Sequence, residues 1–404
     1  MALKNKAIII LGHAKFDSTV ESTAFTVAKY LAKENQVFYV EHPFTCKDYF
    51  KFREQDYIKK RISYFSLTSD GIISTQLPNL KVVITPPVLP INFIPEGRLY
   101  RLILKINDQI VARRIKKVIR KYKLQDVVYI NIFDFHFPNI AKTIRPALNV
   151  YYCVDPMIVP YDMKHGIVSE HQLVENSDLV ICTSRQLYEE KKQQNSNTFF
   201  IPNAADTTHS SKARDEALPV HPLIADLKKP VIGYFGTVER RIDFDVLHEV
   251  IKSHPDKSFV LAGPISEGFV PTWAKKSIRF TGPVPYSEMP AMVKGFDIAI
   301  IPFKKDNVSR TIFPLKLFEY LGAGKPVICT DFNLDLAEFT EDTVIYCPDA
   351  ISFSHAIQDI CDHGIDDRKN VQKRLEVAAK NTWEKRGMAL ATLLEEFMQR
   401  KQKI

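Results

Sequence analysis

The chain has 404 residues, of which 45% are hydrophobic, 25% charged and 11% aromatic. That composition excludes disordered, collagen-like and disulfide-dense classes, and the length predicts two domains with cores of their own. The formal charge of +8 is unevenly placed: residues 1–150 carry 24 Lys and Arg against 12 Asp and Glu, the remainder 31 against 35. A balance of +12 followed by −4 confines the basic excess to one surface and weakens any reading as a general nucleic-acid binder.

In chain order, Lys4 and Lys6 precede a short apolar run at 7–11, too short for a signal-peptide core or a bilayer span. That run reads as a strand, and Gly12-His13-Ala14-Lys15-Phe16 follows it as a strand-end loop from which His13 or Lys15 could reach a ligand. A second strand is expected at 36–40. The apolar stretch 82–95 holds Pro86, Pro87, Pro90 and Pro95 and cannot be a continuous helix.

Residues 98–123 carry ten Lys and Arg against one acid, Asp108, on a helical pattern. Leu99, Leu102, Ile103, Ile106, Ile110, Val111, Ile115, Val118, Ile119 and Tyr122 are its apolar positions and give the amphipathic pattern. The segment is either an outer helix with a solvated basic face or a docking element for an anionic membrane surface. The aromatics are not interleaved as stacking platforms, so no nucleic-acid partner is expected.

Strands are then expected at 127–131, 150–154 and 179–183. The first runs into Asn131-Ile132-Phe133-Asp134-Phe135-His136, and the second ends at Asp155. Asp134, His136, Asp155 and His13 are the candidates for orienting or deprotonating an acceptor hydroxyl, each weighed against a simple polar cap at a strand end.

Residues 204–230 read as an interdomain linker and lead-in, and a second series of strands follows at 231–235, 258–262, 277–281, 298–302 and 326–330. Asp243-Phe244-Asp245 is expected to open a helix rather than bind metal. In the window 313–326, Pro314 suits a helix start, with Leu315 beside it. Lys316 and Glu319 share one face, suited to a phosphate at the positive helix end and to a vicinal diol. A surface Lys–Glu pair is the alternative. Helical periodicity over 371–398 breaks near Asn381-Thr382-Trp383 and Gly387, as suits a helix passing from one domain to the other. The six cysteines are scattered without a C-x-x-C pair, which predicts reduced thiols in a cytoplasmic chain.

Five segments taken in order resemble the GT-B-fold glycosyltransferases of family 4, in particular the teichuronic-acid and capsule-type enzymes. They are 176–184, Ile201-Pro202-Asn203-Ala204-Ala205-Asp206, Ile232-Gly233-Tyr234-Phe235-Gly236, the pair 280–286 with 297–303, and 314–326. The resemblance implies an α/β GT-B fold: two Rossmann-like domains, a cleft between them, and a C-terminal helix crossing back. The expected domains are 1–205 with 376–404 on the acceptor side, and 206–375 on the donor side.

It further implies metal-independent transfer of a sugar from a nucleoside-diphosphate sugar to a glycan or lipid-linked acceptor, with no cofactor. Surface polysaccharide synthesis in the cytoplasm would follow, with the basic segment 98–123 as the docking element if the chain sits on the inner face of the membrane. A nucleotide-sugar epimerase of the same fold and a non-catalytic basic membrane- or nucleic-acid-binding protein are the alternatives. Lys316, Glu319, Gly236, Pro314 and Leu315 fall on the donor motif. Two positions depart from the family pattern: Thr311 stands where a first Glu is usual, and Thr237 follows Gly236 in place of Arg. Arg240, Arg241 and Arg310 are therefore the candidate phosphate-side cations, each weighed against an ordinary surface charge.

Overall fold

A computed structural model describes residues 2–18, 22–363 and 368–403. The chain divides into two compact units, Met1–Pro202 with Gly387–Ile404, and Asn203–Arg386.

The first unit is built on an eight-stranded sheet in the order β3-β4-β2-β1-β5-β6-β7-β8. Its strands are β1 (Ala7–Gly12), β2 (Gln36–Glu41), β3 (Ile72–Ser74), β4 (Leu80–Val83), β5 (Val128–Ile132), β6 (Leu148–Cys153), β7 (Leu179–Cys182) and β8 (Thr198–Phe200). All pairings are parallel except β3 with β4. Every residue of β1 and β5 is buried, which is why these strands read as unbroken apolar runs rather than alternating ones.

The second unit holds a six-stranded parallel sheet in the order β11-β10-β9-β12-β13-β14. These strands are β9 (Val231–Phe235), β10 (Ser258–Ala262), β11 (Arg279–Phe280), β12 (Ile298–Ile301), β13 (Val327–Thr330) and β14 (Val344–Cys347). In both sheets the order reverses direction, between β1 and β5 and between β9 and β12. Open parallel sheets bind ligands beyond the carboxyl ends of the strands at such reversals.

Some sequence expectations are corrected. The segment 204–230, expected as an interdomain linker and lead-in, is largely exposed but anchored: Ala204, Ala205, Ala213 and Ile224 are buried, and the last three join the core of the second unit. Its small side chains weaken the periodicity while letting backbone pack closely. Strands β3, β4, β8 and β14 escape the sequence reading; β4 runs directly into the proline-rich stretch. The periodic tail is two helices, Arg368–Lys380 and Trp383–Gln402, parting at the expected break. The second helix enters the first unit at Gly387, whose missing Cβ leaves room for the Tyr30 ring, 2.1 Å from where that atom would lie. Leu390, Leu394 and Phe397 are buried there, and Phe397 meets Phe199 edge to face.

The basic helix Arg98–Tyr122 forms as expected but is turned differently from the sequence reading. Its buried side is Tyr100, Leu104, Asn107, Asp108, Val111, Arg114, Ile115 and Val118, whereas Leu99, Leu102 and Ile106 are exposed. Asn107 bonds both backbone groups of Leu89, and Arg114 donates to the carbonyls of Tyr64, Ser66 and Ser69. Those polar tethers fix the rotation of the helix.

Candidate functional site

In the first unit, the register pairs Gly12 with Glu41 on one side and with Ile132 on the other. Strands β1, β2 and β5 therefore end level, and the loops that leave them bring His13, His42, Asp134 and His136 together. Ring centroids lie 4.3 Å apart for His13 and His42, 5.2 Å for His42 and His136, and 5.7 Å for His13 and His136. His42 Nδ1 is 2.9 Å from Asp134 Oδ2.

Asp134 is fully buried and clamped by its own loop: its N–H donates to Asn131 Oδ1 at 2.8 Å, and Asn131 Nδ2 donates to its carbonyl at 3.0 Å. The preceding Phe133 takes a left-handed backbone, φ +54°, which a bulky residue adopts only when its surroundings enforce it. Asp134 Oδ1 is buried with no hydrogen-bond partner.

Burial opposes the Asp134 charge, but His42, by charge and by hydrogen bond, and then His13 and His136 outweigh it and hold the carboxyl well below the usual range. An ionised Asp134 makes His42 Nδ1 the donor and leaves Nε2 as the basic nitrogen. Burial first, then the neighbouring His42, lowers His136 to about 3, so it is neutral at physiological pH; His13, at the exposed edge of the cluster, is shifted in the same direction.

The His13 loop is held from below. Gly12 has room for no side chain, because the Tyr39 hydroxyl lies 2.6 Å from where a Cβ would stand, and that hydroxyl donates to the Ala14 carbonyl at 2.7 Å. The buried Arg61 grips Glu41 at 2.8 and 2.9 Å and also binds Asp17, while Glu41 accepts from the Phe16 N–H at 2.8 Å. Lys15 donates to the His42 carbonyl and lies over the Phe44 ring, so it steadies the second loop instead of reaching a ligand. Asp155 follows β6, beyond β5 in the sheet, and is exposed. Sequence reasoning missed His42. Its signal was the one that flagged His13 and His136, a histidine just past a strand.

In the second unit the helix Leu315–Gly322 begins beside the carboxyl end of β9. Pro314 is its N-cap and makes no side-chain cap, so the first-turn N–H groups are not claimed by a capping side chain. Asn203 Nδ2 donates to the Phe313 carbonyl at 3.3 Å, and the Phe235 N–H donates to Tyr320 Oη at 2.7 Å, fixing the helix against the strand.

Lys316 lies across Gly236, whose φ is +149° and whose absent Cβ would fall 2.7 Å from Lys316 Nζ. Nζ donates to Tyr234 Oη at 2.9 Å and sits over the Tyr234 and Phe303 rings at 4.6 and 5.2 Å. Burial first, then the nearby Arg241, lowers the Lys316 ammonium to about 7. Glu319 is buried and accepts from Tyr286 Oη at 2.7 Å.

The other candidates divide. Leu315 is the first helical residue and half-buried. Arg240 is half-buried, with Nη2 buried and unpartnered. Arg241 pairs with Glu239 and stacks over Phe303. Arg310 is exposed in the turn before the helix. Thr311 is buried and donates to the Val308 carbonyl at 2.7 Å, closing a turn where the related motif has a carboxylate. Asp243 accepts from the N–H groups of Asp245 and Val246, the helix-opening role expected for it.

Two Rossmann-like units built on largely parallel sheets are the architecture of the GT-B fold. Residues 229–363, the stretch with Gly236, Lys316 and Glu319, match the family described as glycosyl transferases group 1. The chain is 24% identical over 213 residues to TuaH of Bacillus subtilis (strain 168), named provisionally as a teichuronic acid biosynthesis glycosyltransferase. That match takes in 48% of this chain and 53% of TuaH, about half the length of the relative.

Among solved structures, sucrose-phosphate synthase from Thermosynechococcus elongatus superposes with a TM-score of 0.67 at 16% identity, covering 98% of this chain and all of that one. Anabaena HepE in complex with UDP and glucose superposes with a TM-score of 0.59 at 14% identity, covering 97% and 100%.

Proposed function

We propose that this chain transfers a sugar from a nucleoside-diphosphate sugar to a hydroxyl of a glycan or lipid-linked acceptor in surface polysaccharide synthesis. The observation that carries the reading is Lys316. It is held against a side-chain-free Gly236 at the start of a helix without a side-chain cap, inside the stretch that matches the glycosyl transferase family.

A leaving diphosphate gathers charge as the glycosidic bond breaks, and a helix N-terminus with an adjacent ammonium stabilises that charge where it develops. Arg240 and Arg241 are the next cations toward the diphosphate. Glu319, steadied by Tyr286, takes the ribose diol. In the first unit, His42 oriented by Asp134 serves as the base for the acceptor hydroxyl, with His13 and the neutral His136 as hydrogen-bonding neighbours. UDP-sugars are the first donors to test, since the HepE structure contains UDP and glucose. The reaction proposed needs no metal.

Turnover of a panel of UDP-, GDP-, dTDP- and CMP-sugars, with and without EDTA, tests this. Thermal stabilisation or hydrolysis by one base class, unaffected by EDTA, is expected. No response to any member would defeat the reading.

A second reading of the histidine cluster has its own observation: His13, His42 and Asp134 each place a ligand atom within 4.8 Å of the others, a set able to hold a metal ion. Stoichiometric zinc binding lost in His42→Ala, with turnover abolished by EDTA, would replace the base by a metal centre.

A further inference from the structure

The basic helix Arg98–Tyr122 presents to solvent a face that its sequence pattern assigns to the core. Leu99, Leu102 and Ile106 are 61, 61 and 50% exposed, although each belongs to the apolar periodicity of the helix. At 100° per residue, the exposed Arg98, Lys105, Arg113, Lys116 and Arg120 fall on the same stripe. The one acid of the helix, Asp108, is turned inward.

This face continues onto the helix Pro160–Glu175. Arg101 bonds Ser169 Oγ at 2.7 Å and the His165 carbonyl at 3.1 Å, and Tyr100 stacks on His165 at 3.6 Å. Tyr161, Ile167 and Val168 are exposed on that second helix. Lys164 reaches the carbonyl of Asn92, next to Phe93, which is 78% exposed. The nearby Glu96 is spent on Arg101 and His165, at 2.7 Å from each.

We propose that this face of the first unit docks on the anionic leaflet of a membrane, its aliphatic centre entering the headgroup boundary and its lysines and arginines meeting lipid phosphates. An aliphatic patch fringed by cations, and carrying no acid along the helix stripe, is complementary to that surface. A second copy of the chain would set the same cations against each other across a two-fold axis. The aliphatic centre gives nucleic-acid bases no stacking platform. Among the described residues no helix is long and apolar enough to cross a membrane, so the contact is peripheral. The proposal goes beyond glycosyl transfer and does not depend on it.

Co-sedimentation of the full chain with vesicles of equal parts phosphatidylcholine and phosphatidylglycerol, against phosphatidylcholine alone, tests it. Binding to the anionic vesicles only, reversed by high salt, is expected. The double variants Leu102→Ser/Ile106→Ser and Lys105→Glu/Lys116→Glu should each weaken binding by at least about tenfold, a basic residue near the surface being worth about fivefold. All four positions are exposed, so the melting temperature should stay at the parent value. Absence of binding to anionic vesicles, or variants that bind like the parent, would overturn the proposal. A concentration-dependent dimer broken by the same substitutions would overturn it as well. Nucleotide-sugar turnover measured without vesicles keeps failure here distinct from failure of the proposed function.

Discussion

Lys316 shows how one side chain can be read twice. Its spacing from Glu319 and its place behind Pro314 are visible in the sequence; its lowered pKa is not, because that comes from burial against Tyr234 and Phe303. With the ammonium at about 7 in the free protein, much of it is neutral at a pH of about 8, and a bound diphosphate favours the charged form. UDP binding near pH 8 should therefore take up a proton and near pH 6 take up less, read by calorimetry in buffers of different ionisation enthalpy. Lys316→Met should abolish the uptake and weaken binding by about tenfold or more.

Asp108 gives a second test at this scale. Burial pushes its carboxyl up to about 7, against the partial support of Asn139. A folded value above the ordinary 3.8 means stability that is full below 3.8, falls as pH rises toward 7 and stays low beyond it. Asp108→Asn should raise the melting temperature by several degrees at about pH 8 and leave it unchanged near pH 4.

At the level of elements, three loops make the His13–His42–Asp134–His136 cluster, and none of them holds it alone. Asp134 and His136 were legible because they alternate with aromatics past one strand. His42 carried the same strand-end signal as His13, but its meeting with Asp134 depends on β1 lying between β2 and β5 with all three ending level. His42→Ala should lower kcat by about a hundredfold or more while leaving UDP affinity within about twofold. Single-turnover kinetics with calorimetry separates the two.

The loop supports make their own demand. Arg61→Ala leaves Glu41 buried without its ion pair and should cost about 3–5 kcal/mol, read as a lowered denaturation midpoint. The basic helix carries the opposite lesson: its helicity was plain from periodicity, but its rotation was set by Asn107 and Arg114 seeking backbone carbonyls. Apolar spacing does not record where such carbonyls lie.

For the whole molecule, the last helix shares its residues between the units. Gly387 to the C-terminus belongs with the first unit, where the Leu3 N–H donates to the Ala391 carbonyl at 3.0 Å and Lys401 pairs with Asp178 at 2.7 Å. Truncation after Arg386 should unfold or strongly destabilise the first unit while the core of the second persists. Calorimetry would then show one transition shifted down and one retained.

The sequence by itself determined the class of fold, the Lys316–Glu319 helix and the break in the terminal helix. Those depend on local spacing, on glycine and proline, and on apolar runs that parallel sheets bury from both sides. Tertiary structure alone decided that Ala205, Ala213 and Ile224 anchor the segment 204–230 to the second core, that Thr311 closes a turn, that His42 completes a cluster, and that Leu99, Leu102 and Ile106 face outward. Each of those depends on which groups distant in the chain come to share a strand end or a helix face, and a side chain's chemistry does not state its neighbours.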